Sequence, residues 1–324
     1  MFSQTASKRR FGILLLALCA STVAACRDSS DDSSRDASRD SATASANVLT
    51  PADTDDFGAP FPDASSAQRV VTLNPTSTEI IFALGENSRL VGRSDWDEFP
   101  KEAKQLPSLG NGIKPNVEAV LAARPTLVVL YATPDNRPAV EAFTRAGVKT
   151  LALRVDRIAG FHKHVEILGR VFGVADKAKI LNDSVSATLR RVQSLVERHV
   201  PVDQRPTALW PVWNTPPMVI GGGSYMDELL TIAGARNVFH DNANPSPQVS
   251  VEEIVRRNPQ QIVVGPARAK ELAASPIWRA VPAVRDGHFA VMDPELTGRP
   301  SVQLGMAAMA LARSLHPALA DSLK

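Results

Sequence analysis

Cysteine is nearly missing from this 324-residue chain, which has only Cys19 and Cys26. Both lie within or at the end of an apolar N-terminal run, so the body of the protein has no disulfide framework and must rest on a packed core. Tryptophan and tyrosine are scarce as well, four and two residues. The formal net charge is only +2, which excludes the basic field that nucleic-acid binding requires. No apolar run reaches the about 20 residues of a stable membrane span. Enzyme signatures are missing too. Residues 221–224 read GGGS without the Lys-Ser/Thr of a phosphate loop, and residues 162–164 read HKH without the glutamate of a zinc helix. No Gly-x-Ser-x-Gly elbow occurs either. These absences point away from an enzyme, a resident cofactor and a metal centre.

What is present begins at the N-terminus. Lys8, Arg9 and Arg10 precede the apolar run Phe11 to Ala20, and the small residues Ala24 and Ala25 lead into Cys26. This order of charge, apolar run and small residues is that of an export signal over residues 1–25. VAAC resembles a bacterial lipobox, so Cys26 is expected to become the lipidated first residue; a plain secretory signal with an incidental Cys26 is the alternative. Removing three basic and no acidic side chains leaves the mature chain at −1. Residues 26–68 are rich in Ser, Asp, Ala and Pro, without a periodic apolar stripe. Such a segment buries too little surface to offset its ordering entropy, and it reads as a flexible tether.

From Arg69 the chain alternates short apolar runs with helical segments, the pattern of an α/β protein with parallel sheets. Residues 69–75, 89–96, 126–132 and 148–154 read as strands of a first lobe, 69–156. Residues 206–213, 217–222, 260–266 and 288–294 read as strands of a second, 205–324. Helices of the second lobe are expected near 225–233, 250–257, 275–285 and 301–315. In the first lobe, Thr76 and Glu79 have capping-box spacing and Gly85 ends the helix. Residues 116–130, NVEAVLAARPTLVVL, match 250–264, SVEEIVRRNPQQIVV; TEIIFALG at 78–85 resembles DELLTIAG at 227–234. Two similar lobes imply a pseudo-twofold molecule with a ligand cleft between them. In the connector, 157–204, Ala178, Leu181, Val185, Leu189, Val192 and Val196 make one apolar stripe along residues 175–199. A single helix of that length spans roughly 37 Å and would resist wide opening of the lobes.

The stretches RVVTLNPTSTEIIFALG, VGRSDWDEFP, LPSLGNGIKPNVEAVLAARPTLVV and RNVFHDNANPSPQVSVEEIVRRNPQQIVV, with the central helix, resemble the helical-backbone class of ABC-importer substrate-binding proteins over Arg69 to about Pro317. That class takes cobalamin, haem and ferric siderophores, and LNPTSTEI, SDWDEFP and PQVSVEE are most similar to its cobalamin receptors. Ser246 and Gly112 depart from the pattern, standing where those receptors carry aromatics. The resemblance implies a monomeric, periplasmic or cell-surface protein, lipid-anchored to a membrane. It would hand a metal chelate to permease subunits, with cobalamin ranked first, haem second and ferric siderophore third. It also implies one docking glutamate per lobe. The repeat independently singles out Glu118 and Glu252, each two residues past an N-cap, Asn116 or Ser250, while Glu253 has capping-box spacing. A planar chelate needs broad apolar walls, so Trp96, Tyr131, Trp210, Trp213 and Tyr225 are the ligand-binding candidates, with Arg299 or Arg137 for peripheral carboxylates. Haem would need an iron ligand from Tyr131, Tyr225 or His240. Trp278 is assigned to packing. A structural surface lipoprotein and an enzyme are the competing classes.

Overall fold

The computed structural model describes residues 53–323; the expected signal and Cys26 lie outside them. The first lobe is built from β1 (Val70–Leu73), α1 (Pro75–Ala83), β2 (Leu90–Gly92), α2 (Val117–Ala122), β3 (Leu127–Tyr131), α3 (Arg137–Arg145) and β4 (Lys149–Leu153). Its strands pair in parallel in the order β2-β1-β3-β4. The central strands β1 and β3 are covered on both faces. Their unbroken apolar runs, Val70–Leu73 with one threonine and Leu127–Leu130, are buried throughout.

Two helices follow. α4 (Ile158–Val171) ends at a break where Gly173 takes φ +73°, and α5 (Ala175–His199) runs unbroken for 25 residues. The expected stripe of α5 is its buried face: Ala178, Val185, Leu189, Val192 and Val196 are buried and Leu181 packs against the same core. The second lobe adds β5 (Thr207–Leu209), β6 (Pro211–Asn214), β7 (Pro217–Val219), α6 (Tyr225–Ile232), β8 (Arg236–Asn237), α7 (Val251–Arg257), β9 (Gln261–Val264), α8 (Pro266–Ala274), α9 (Pro282–Arg285), β10 (Phe289–Val291), α10 (Pro294–Thr297) and α11 (Leu304–Leu315). Its parallel sheet has the order β8-β5-β9-β10, the same as the first lobe, and β6 and β7 form a separate antiparallel hairpin.

Helix α5 packs against both α4 and α11. Both contacts are made close by glycine. A Cβ on Gly169 of α4 would lie 2.4 Å from the Ala178 Cβ, and one on Gly305 of α11 would lie 2.5 Å from the Thr188 Cγ2. The α5 spine therefore meets both helices where only a glycine leaves room for it.

Several local expectations are corrected. The last part of the expected tether is docked: Phe57 and Phe61 pack against the cores, and Asp63 caps a short turn at Ala64–Ser66. The cap of α1 is Asn74, whose side chain accepts from the Ser77 N–H, with Pro75 at the first helical position. Thr76 and Glu79 do not form a capping box; both are drawn to the C-terminal chain. The apolar run 206–213 is divided between β5 and β6, and 275–285 holds only a short turn and α9, with α8 before it. β8 is a two-residue strand that leaves no period to read.

Candidate functional site

The C-terminal ends of both sheets face a cleft whose floor is tied together by polar contacts. Tyr225 N–H donates to the Asp156 carbonyl at 2.6 Å. Glu228 of α6 accepts from the Arg157 Nε and from the Ile158 N–H, both at 2.7 Å. The first turn of α4, which has no side-chain cap of its own, is thus capped by a carboxylate of the other lobe. On the opposite side, the Thr76 hydroxyl donates to the Pro300 carbonyl at 2.8 Å, and Arg299 is paired with Glu79.

Between these ties lies a cavity of roughly 300 Å³. Tyr131, Asn74 and Asp156 face it from the first lobe; Ile220, Met226, Ser246 and Arg299 face it from the second. A second chamber of about 460 Å³ continues into the second lobe, sharing Val212, Met226 and Gly298 with the first. The walls are chiefly apolar, with a few fixed polar groups, as small-molecule sites are.

The glycines of GGGS have a structural reason. A Cβ at Gly221, Gly222 or Gly223 would come within 2.1 to 2.2 Å of a carbonyl oxygen in the 240–244 loop. Residues 240–246 also hydrogen-bond Gly221 and Gly222 through the Pro245 and Asn242 carbonyls, so the glycines seat the Ser246 loop at the cavity. Gly112 is equally constrained: a Cβ there would lie 2.5 Å from the Leu73 carbonyl oxygen. No aromatic fits at that position.

The structure separates the candidate ligand contacts. Tyr131, Tyr225 and Arg299 line the main cavity. Trp210 is only 6% exposed and lines the second chamber from the core. Trp96 and Trp213 are outside both, 63% and 55% exposed, on the loop after β2 and on the β6–β7 hairpin, where the Trp213 indole N–H donates to the Thr215 carbonyl at 3.0 Å. Trp278 is buried in the second lobe's core. His240 is held by Asp227 at 2.9 Å and does not line the cavity.

Neither cavity phenol is prepared as a phenolate. Burial, and after it Asp156, raises the Tyr131 pKa. Burial also raises Tyr225, whose hydroxyl donates to the Thr297 carbonyl at 2.7 Å. Beneath the cavity, burial pushes Glu79 up to about 7 against the opposing pull of Arg299. Asp97, buried and bonded to the Thr78 hydroxyl and the Ser94 N–H, is likewise raised by burial to about 6. His164, which meets Ser77 at 2.8 Å, is driven down to about 3 by burial.

Glu118 and Glu252 are exposed on the first turns of α2 and α7. Their N-caps match: Asn116 accepts from the Ala119 N–H and Ser250 from the Glu253 N–H, both at 3.1 Å. The Glu253 carboxylate does not complete the expected capping box; it is bound by Arg257 at 2.7 Å and by Arg256. Glu252 instead hydrogen-bonds near its own cap, which lowers its pKa. Among the described residues no group of three or more His, Cys, Asp or Glu side chains is placed to hold a metal ion, and no helix is long and apolar enough to cross a membrane.

Sequence reasoning missed Asn74, Asp156, Glu79 and Glu228. Asn74 had a readable signal in the Asn-Pro pair that opens α1; the others are recruited by chain far away in sequence.

A family model described as periplasmic binding protein matches residues 70–296, most of both lobes. The chain belongs to the periplasmic binding proteins. It resembles the vitamin B12-binding protein of Pectobacterium atrosepticum, 25% identical over 65% of this chain and 76% of that protein. It is 27% identical to the uncharacterized ABC transporter substrate-binding lipoprotein YvrC of Bacillus subtilis, over 96% of this chain and 98% of that one. Among solved structures it is similar to a periplasmic heme-binding protein from Pseudomonas aeruginosa, with a TM-score of 0.68, 28% identity, and coverage of 77% of this chain and 93% of that chain. This periplasmic binding protein is the substrate-binding component of an ABC importer, and it is not an enzyme.

Proposed function

We propose that the protein captures a bulky metal chelate, cobalamin first, in the interlobe cleft and delivers it to a membrane permease. The observation that carries this reading is the cavity wall: Tyr131 on one lobe faces Val212, Ile220 and Met226 on the other. Such a lining suits a broad, largely apolar ring system, whereas a sugar or amino acid would demand a more polar one. The continuation into the second chamber adds room for a ligand larger than the first. Lobes held by α5 and by ties at the cleft floor suit a rigid ligand that enters a nearly preformed site.

Haem is the second reading. It is favoured by the Tyr131 phenol on the wall, and it is weakened by surroundings that disfavour the phenolate at Tyr131 and Tyr225. A ferric siderophore ranks third. Glu118 and Glu252 are the proposed permease contacts, because they are glutamates at matched positions of the repeat and both are exposed. We place the lipid on Cys26, a reading supported by the lipobox resemblance and by the full-length similarity to a protein named as a lipoprotein.

Calorimetry of the purified protein with cyanocobalamin, haemin and a hydroxamate siderophore tests the ligand. Cobalamin binding that falls about tenfold or more in Tyr131→Ala, as expected for losing a stacked aromatic wall, supports the first reading. Haemin binding with an iron–phenolate absorption band that Tyr131→Phe abolishes replaces it with the second.

A further inference from the structure

The family match begins at Val70, yet a piece of chain before it reaches the rim of the cleft. Thr54 and Pro60 pair as an antiparallel bridge, so residues 54–60 form a small hairpin. Its tip is fastened to β4, the edge strand of the first sheet. The Asp55 carboxylate accepts from the N–H groups of Phe57, Ala59 and Ala152 at 2.9 to 3.0 Å. Asp56 donates its N–H to the Ala152 carbonyl at 3.0 Å and accepts from the Arg154 N–H at 2.6 Å. These bonds satisfy backbone groups that an edge strand otherwise leaves open.

The fastened tip places Phe57 against Arg137, whose guanidinium carbon lies 4.2 Å from the ring centroid. Phe57, Arg137, Arg154 and Asp156 line a recess that shares Asp156 with the main cavity. The Arg154 guanidinium is paired there with Asp156 at 2.8 Å. Arg137 is not: among the described residues it has no acidic partner and no hydrogen-bond acceptor. It also occupies the first position of α3, where the helix dipole disfavours a cation. Stacking holds the face of a guanidinium and leaves its N–H edge free to grip an oxyanion.

We infer that the docked hairpin is a third wall of the binding site, in which Phe57 positions Arg137 to take an anionic oxygen group, carboxylate or phosphate, on the periphery of the bound chelate. This rests on the chelate reading above. The test compares two probe pairs that differ in that group: cyanocobalamin with dicyanocobinamide, which lacks the phosphodiester, and haemin with its dimethyl ester, which lacks the free carboxylates.

For the pair whose charged member the wild-type protein binds, Arg137→Ala should weaken that member about tenfold, the scale of a lost charge-assisted hydrogen bond. It should leave the uncharged member unchanged. Phe57→Leu should weaken the charged member by a smaller factor, and Phe57→Tyr, which keeps the ring face, should restore it. An unchanged affinity in Arg137→Ala, or an equal loss for both members of the pair, overturns the subsite. A loss in Arg137→Ala with none in Phe57→Leu overturns the positioning role of Phe57. Wild-type protein that binds none of the four probes overturns the cobalamin and haem readings and the subsite with them.

Discussion

The two lobes share a strand order and a repeat, yet they treat the first helix after the central strand differently. Helix α6 of the second lobe buries Leu229 and Leu230 with a single acidic side chain, Asp227, and exposes Thr231. Helix α1 of the first lobe buries Thr76, Ser77, Thr78 and Glu79 as well as Ile80 and Ile81. Its polar face is covered by α4, by the Ser94–Asp97 loop and by the returning chain at 299–300. The repeat thus preserves the backbone while the packing reassigns a helix face from solvent to a buried polar network. Where the shared backbone is most demanding, the lobes stay alike: Arg124 and Asn258, at matched positions of the repeat, both take the left-handed conformation, with φ +50° and +46°.

The equivalence of the lobes is most sharply tested at the proposed docking glutamates. Glu118→Arg and Glu252→Arg should each abolish uptake in a transport assay while leaving ligand affinity in solution nearly unchanged, because like-charge juxtaposition at a docking contact costs several kcal/mol. Normal transport by either variant would remove that glutamate from the interface and break the symmetry there.

The grip on the spine is the next comparison. Gly169→Leu and Gly305→Leu should each destabilise the protein by about 1–3 kcal/mol or more through overpacking, measured by urea unfolding. Tolerance of one but not the other would show that the two sides hold α5 unequally.

The buried network of α1 should show itself through pH in a way that the second lobe does not. With its folded pKa raised to about 7, Glu79 binds more protons in the folded than in the unfolded state between about 4.5 and 7. Its contribution to stability is therefore present at the acidic end of that window and is lost as pH rises through it. Asp97 adds the same sign up to about 6. His164, lowered to about 3, acts oppositely: its contribution is present above 6.5 and lost as pH falls toward 3. Denaturation of the wild type and Glu79→Gln at pH 5 and 7 should show the wild type's relative stability declining toward pH 7; a parallel pair of curves would contradict it.

The smallest effect concerns the matched caps. Asn116→Ala and Ser250→Ala should each cost about 1 kcal/mol by chemical denaturation. Similar losses would extend the equivalence of the repeat to its energetics.

Much of this fold was legible in the sequence because it is written in local periods. The stripe on α5, the repeat of α2–β3 in α7–β9 and the apolar runs of the central strands all lie within a few turns of chain. The site was legible only in part. Tyr131 and Tyr225 reach the cavity, but Trp96 and Trp213, also near strand ends, do not. A strand end fixes where a side chain starts, whereas the neighbouring loops decide what it faces; the β6–β7 hairpin carries Trp213 away from the cavity. Glu79 meets Arg299 across 220 positions, and no spacing rule spans that distance. The hairpin at 54–60 was hidden by composition: its Ser/Asp-rich surroundings obscured one aspartate that three backbone N–H groups hold in place.

The Glu228 carboxylate that caps α4 from the opposite lobe has a mechanical consequence. Separating the lobes removes the acceptor from the Ile158 N–H and the Arg157 guanidinium together, while the Asp156 carbonyl loses the Tyr225 N–H. A hydrogen bond weakens steeply once stretched or misaligned, so resistance is concentrated in the first fraction of an ångström and then falls away. These ties therefore behave as a snap fastener rather than an elastic hinge, with a threshold force for release, beyond which the α5 spine alone sets the stiffness.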